Sequence, residues 1–125
     1  MKSLSAVTAL LVIASAGSAQ NTLEEFQKML ESNPKSSTAH YGKARIFLQE
    51  HNYQSSANEF REALNGDLQP AWIEVWSHIN LGKIFDSTNQ RDRAVNEYTQ
   101  AIRTRDDTDG ALEEAARYLE SPYKP

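Results

Sequence analysis

One set of residue columns recurs along this chain and limits what it can become. Leu81-Gly82-x-x-Phe85 is followed by Ala94-x-x-x-Tyr98-x-x-Ala101-Ile102. Stepping from Gly82 back 38 residues reaches Ala44, and stepping forward 34 reaches Ala116. Three residues after each of these small residues stand Phe47, Phe85 and Leu119. A second set runs in parallel: Thr22, Ser56 and Ala94, then Phe26, Phe60 and Tyr98 four residues on, then Met29, Ala63 and Ala101, then Leu30, Leu64 and Ile102. Small residues let helices approach, and the aromatic three or four residues later fills the gap beside them. A unit of this kind cannot bury its apolar face alone, so its copies must stack.

The order of these residues resembles the tetratricopeptide repeat, W-x2-L-G-x2-Y then A-x3-F, closing near Pro. Pro34 falls twelve residues after Thr22, where the closing proline belongs. Departures are present: His40 and His78 stand in the first-helix Trp slot, and Leu68, with Pro70 nearby, stands in the second closing-proline slot. The resemblance implies an all-α, right-handed solenoid of helix–turn–helix units. It would hold about six helices: a half-repeat, two full repeats and a final half-repeat. On this division 20–36 is the half-repeat helix, 37–70 a repeat, 71–108 a repeat with an extended first helix, 109–120 the terminal helix and 121–125 a tail.

Local signals place the elements. Asn21 or Thr22 can cap the first helix, with Glu24-Glu25 at its positive end. Ser32-Asn33-Pro34 ends it, because the residue before proline is pushed out of the helical region. A helix from Ser36-Ser37-Thr38 to about Glu50 follows, then a His51-Asn52 turn plugged by Tyr53, then a helix from Gln54 to about Leu64 stopped by Asn65-Gly66. The four additional residues of the 38-residue step lie between Gly66 and Val75. With Pro70 suited to a first turn, they add about one turn, carrying Trp72, to the front of the next helix. Asn89-Gln90 is the next turn, with a helix starting near Asp92 and ending near Arg105. Asp106-Asp107-Thr108-Asp109 is a capping loop. The last helix, Gly110 to Glu120, carries Leu112, Ala115, Ala116 and Leu119 on one side, and Ser121-Pro122 stops it.

The first nineteen residues read differently. Lys2, an apolar run from Ala6 to Ala16, and Gly17-Ser18-Ala19 before a polar Gln20 describe a secretory signal peptide cleaved after Ala19, the alternative being an anchor left in place. The run is too short for a transmembrane helix. An exported chain, periplasmic or secreted, has disulfides available, yet this one contains no cysteine. Helix packing alone must hold it. Cleavage would remove Lys2 and no acid, taking the net charge from −4 to −5. That balance, without a basic cluster, argues against a nucleic-acid partner or an anionic membrane surface.

Catalytic motifs are lacking. The chain has no Gly-rich phosphate loop, no H-E-x-x-H, no G-x-S-x-G and no cysteine nucleophile. His40 and His78 lack evident partner ligands, and Asp106, Asp107 and Asp109 are followed too soon by Glu113 for a calcium loop. No enzyme activity, cofactor or metal is expected. What the resemblance does imply is a groove lined by the first helix of each unit. Arg45, Lys83 and Arg117 follow the three small residues and would form a basic ladder there, and Trp72, Trp76 and Ile79 continue as a stripe above Lys83, with Tyr41 beside them. Trp and Arg are the side chains that most often dominate binding. The competing reading keeps Trp72 and Trp76 as intramolecular cover. Some family members clamp chaperone C-termini with Lys, Asn and Arg; here Asn80 matches one Asn, but Tyr41 and Glu114 stand at two basic positions, so that activity is not implied. The expectation is a non-catalytic interaction module holding an acidic or amphipathic peptide or a partner protein. The alternative is a structural subunit that self-associates, or docks onto a larger envelope complex, through its helical ends.

Overall fold

The computed structural model describes residues 22–125; the signal-peptide reading of 1–19, its cleavage point and Asn21 as a cap lie outside the described residues. Among those described there are six α-helices, one turn of 3-10 helix and no strand. They are α1 (22–32), α2 (Ser37–Gln49), α3 (Tyr53–Leu64), α4 (Trp72–Ser87), α5 (Arg91–Arg103) and α6 (Ala111–Glu120), with the 3-10 turn Thr108–Gly110 leading into α6.

Each boundary has a local cause. Ser36 accepts a hydrogen bond from the Ala39 amide and so caps α2, and Asn52 does the same for α3 through the Ser55 amide. His51 and Asn89, both at positive φ, reverse the chain between α2 and α3 and between α4 and α5. α4 starts ten residues before Gly82, whereas α2 starts seven before Ala44. The insertion therefore lengthens the front of the helix as expected, although Pro70 precedes it rather than entering its first turn. Gly66 does not act as a left-handed cap. It is small because a Cβ there would run into Ser37 Oγ and lie 2.6 Å from the Lys35 carbonyl oxygen.

Successive helices pack on one another, and α2, α4 and α6 also touch in turn along one side. α4 is the centre. Ile73, Val75, Ile79, Leu81, Ile84 and Phe85 bury it on nearly every side, which is why its apolar residues show no single stripe. Phe60 and Tyr98 are wholly buried, as are Ala44, Ala63, Ala94 and Ala101 from the recurring columns. On α1, Met29 is instead 40% exposed.

On α6 the spacing misplaces the small residue by one position. Ala115 is wholly buried and Ala116 is exposed, and the Tyr118 ring lies tilted against that of Tyr98, 5.6 Å between centroids. One residue on a helix is a rotation of about 100°. The energetic choice was the aromatic contact and Arg91, whose guanidinium donates to the Tyr118 and Leu119 carbonyls at 2.8 and 2.9 Å.

The α3–α4 connection is fastened back onto α2. Ser37 Oγ donates to the Ala63 carbonyl at 2.6 Å and accepts from the Leu68 amide at 2.9 Å, while Asp67 accepts from the Ser37 and Gln69 amides, each at 3.2 Å. Those amides, Ser37's first, hold the Asp67 carboxyl below the usual carboxylate range; the Thr108 hydroxyl and amide do the same for Asp106. A carboxyl depressed by folding adds stability above its unfolded value and loses it as pH falls through the lower folded one. Thermal unfolding followed by circular dichroism between pH 6 and 2.5 should therefore show a midpoint that drops below about pH 4. In Asp67→Asn the drop should be shallower; an unchanged slope would remove Asp67 from the acid response.

Candidate functional site

α2, α4 and the turn before α6 build one recess. Tyr41 and Arg45 come from α2, Trp72 and Trp76 from α4, and Asp109 from the 3-10 turn; together they line a cavity of about 340 Å³. The lengthened front of α4 is what brings Trp72 here. Tyr41 is fixed by an edge-on contact with Phe60 (5.5 Å between centroids) and another with Trp72 (5.3 Å). Trp76 is tied by its Nε1 donating to the Thr108 carbonyl at 3.0 Å, and Asn80 Nδ2 donates to the Trp76 carbonyl at 2.9 Å. Both indoles are half-buried. Arg45 is exposed at the rim, and among the described residues no carboxylate pairs with it.

The other two basic positions are already engaged. Lys83 Nζ lies 3.3 Å from Glu114 Oε1 and sits over the rings of Tyr118 (5.6 Å) and Tyr123 (5.4 Å). Arg117, 64% exposed, reaches the same Glu114 oxygen at 3.8 Å. With α6 turned by one residue, Ala116 rather than Arg117 follows the buried small residue, so the three cations do not form a continuous ladder. Ile79 is wholly buried and belongs to the core, offering no surface to a partner. Tyr41, Trp72, Trp76 and Arg45 are thus brought together, and Lys83 and Arg117 meet each other at Glu114.

The tail accounts for the screening of Lys83. After α6 the chain turns back, and the Tyr123 amide donates to Asp86 Oδ2 at 2.9 Å. Tyr123 and Pro125 then close a small space of about 100 Å³ against Leu48, His51, Tyr53 and Ser87. Asp86, with a side chain only 1% exposed, also takes two bonds from Arg91 Nη1 (3.0 and 3.2 Å) and one from the Tyr98 hydroxyl (2.9 Å). Burial and the adjoining Asp86 push the Tyr98 hydroxyl well above its ordinary pKa.

Two further pairs escaped the sequence reading. His40 Nδ1 meets Glu59 Oε2 at 2.7 Å, and His78 Nδ1 meets Glu97 Oε2 at 2.7 Å. The same atoms meet at the same distance in the α2–α3 and α4–α5 hairpins. The signal was available, since Glu59 and Glu97 stand 38 residues apart just as the histidines do. A base oriented by a carboxylate is part of a catalytic constellation, but His40 Nε2 is spent on the Pro34 carbonyl at 3.1 Å. The pairs clamp each hairpin. In the acidic loop, Asp106 Oδ1 accepts from the Thr108 amide and Asp107 Oδ1 from the Leu112 amide, which are capping roles. Among the described residues no group of three His, Cys, Asp or Glu is placed to hold a metal, and no helix is long and apolar enough to cross a membrane. Comparison with protein-family models, with curated proteins and with solved structures finds no match.

Proposed function

We propose that this chain is an exported, non-catalytic interaction module of the tetratricopeptide-repeat type, whose groove takes an amphipathic peptide segment carrying a carboxylate. The repeat reading is supported by the recurrence of the His–Glu clamp and of the buried columns at a 38-residue step. The observation that carries the binding reading is the recess of Tyr41, Trp72 and Trp76 with Arg45 at its rim. Aromatic walls take an apolar side chain, and Arg45, in no ion pair among the described residues although Asp109 lines the same recess, is left to take an acid. Because Lys83 and Arg117 share Glu114, Arg45 replaces the ladder as the charge that selects. Self-association through the helical ends has less to rest on: Met29 is the one exposed large hydrophobic among the described residues, and the outward face of α6 presents Ala116.

The test is capture of partners from the envelope or secreted fraction of the exporting host by residues 20–125. Arg45→Glu should lose the captured partner at least tenfold, and Arg103→Glu, at an exposed arginine that does not line the recess, should retain it. Equal capture by both variants would sink the groove. No capture, together with a dimer on size-exclusion chromatography, would move the reading to self-association. The mass of the exported chain reports whether cleavage follows Ala19.

A further inference from the structure

A second recess lies between α3, α4 and the start of α5 and shares no lining residue with the first. Its volume is about 380 Å³, and its polar lining comes from Gln54, Asn58, Arg61, Thr88, Gln90 and Arg93. None of the residues lining it is acidic. Two guanidinium groups are gathered around the single ring of Phe85: Arg93 Cζ lies 4.1 Å from its centroid and Arg61 Cζ 5.8 Å. In a chain with 17 acids and 13 basic residues, two arginines on one ring, neither in an ion pair among the described residues, run against the general balance.

Their neighbours orient them without neutralising them. Arg93 Nη1 donates to Gln90 Oε1 at 2.6 Å, Gln90 Nε2 donates to Thr88 Oγ1 at 2.8 Å, and Thr88 Oγ1 donates to the Ile84 carbonyl at 2.9 Å. This chain of bonds, anchored on the backbone of α4, holds Arg93 in place. Arg61 Nη1 donates to Asn58 Oδ1 at 3.3 Å. Each guanidinium carries five N–H donors in a planar fork, and with both side chains exposed most of these donors are open to solvent or to a ligand. Attraction to the Phe85 ring gathers both cations at this recess. A guanidinium fork can take two oxygens of one anion at once.

We propose that this recess binds a compact oxyanion, a phosphate or carboxylate group, held between Arg61 and Arg93. The bound anion offsets the repulsion of two like charges gathered at one ring, and the fork geometry favours it over a spherical halide. The site is independent of the aromatic groove and stands or falls separately from it.

The experiment is a titration of ¹⁵N-labelled protein with inorganic phosphate, and separately with succinate, at constant ionic strength set by sodium chloride. The Nε–Hε signals of Arg61 and Arg93 are the readout. Saturable shifts are expected with at least one of the two anions, and the anion that saturates identifies the oxyanion class. Arg61→Gln/Arg93→Gln should weaken binding at least tenfold with helicity unchanged by circular dichroism. Arg93→Lys, which keeps the charge and loses the fork, should fall between the two. Shifts that grow linearly with both anions, or saturation that survives in the double variant, would overturn the proposal.

Discussion

Replacing Asp86 with alanine is expected to destabilise the protein by about 3 kcal/mol, a large share of the total for a domain of this size. The side chain is almost wholly buried and accepts from three groups on two elements: Arg91 at the start of α5, the Tyr98 hydroxyl within α5 and the Tyr123 amide in the tail. Truncation leaves a buried phenol and a backbone amide without an acceptor, and a cation without its counter-ion. Arg91 is a third exposed, and solvent screening of its charge keeps the figure near the lower end of the range for broken buried pairs. Asp86→Asn retains an acceptor and should cost about half as much. Urea unfolding measures both losses, and hydrogen exchange at the Tyr123 amide reports the tail. A loss under about 1 kcal/mol in the alanine variant, with Tyr123 still protected, would remove Asp86 from its place as the joint of α4, α5 and the tail.

The second large effect is at Gly82. A Cβ added there would lie 2.7 Å from Cδ1 and Cζ of Tyr98, with Cε1 nearer still. Tyr98 has nowhere to go: its ring is wholly buried, packs against the tilted ring of Tyr118, and is pinned by its hydroxyl to Asp86. Overpacking of this kind costs about 1–3 kcal/mol, and for Gly82→Val we expect the upper end. In a domain of about a hundred residues that lowers the melting temperature by roughly 15 °C. Gly42 is the control. Its missing Cβ would meet the ring of Phe26, but Phe26 on α1 is only half-buried, so its ring is not enclosed as that of Tyr98 is. Gly42→Val should thus cost clearly less, and equal losses at the two glycines would show that the fixed Tyr98 ring is not the cause.

The helices were legible in the sequence because their limits are set by local chemistry. Ser36, Asn52 and Pro34 act through their own backbone or the next turn, and reading them needs no knowledge of the rest of the molecule. The buried columns at Ala44, Phe60, Ala63, Gly82, Ala94, Tyr98 and Ala101 were legible for a related reason: small and aromatic residues recur at a period that only packing explains. What was not legible depends on side chains meeting across elements. Asp86 reads as an unremarkable helix-end acid until α5 and the tail close over it. Glu114 reads as surface charge until Lys83 and Arg117 converge on it. The one-residue rotation of α6 is invisible to counting, since the count assumes a connection that the positive-φ residues Arg105, Asp109 and Gly110 build in their own way. Ile79 was placed on the groove by its spacing from Lys83, but α4 is covered on so many sides that position in a stripe does not imply exposure.

The returning tail sets the scale of any encounter at the α2–α4–α6 face. Among the described residues Tyr123 and Pro125 occupy the end of that face near Lys83, Ser87 and His51, and the end near Trp72, Trp76 and Asp109 stays open to another molecule. On the groove reading, a bound segment has room to seat one or two side chains, far short of the roughly 800 Å² per partner of a standard stable complex. Contacts of that size dissociate quickly, and affinity differences between related complexes lie mostly in that dissociation step. On that same reading, so short a footprint suits repeated, brief engagement, and gains lasting hold only where several copies or several segments act at once.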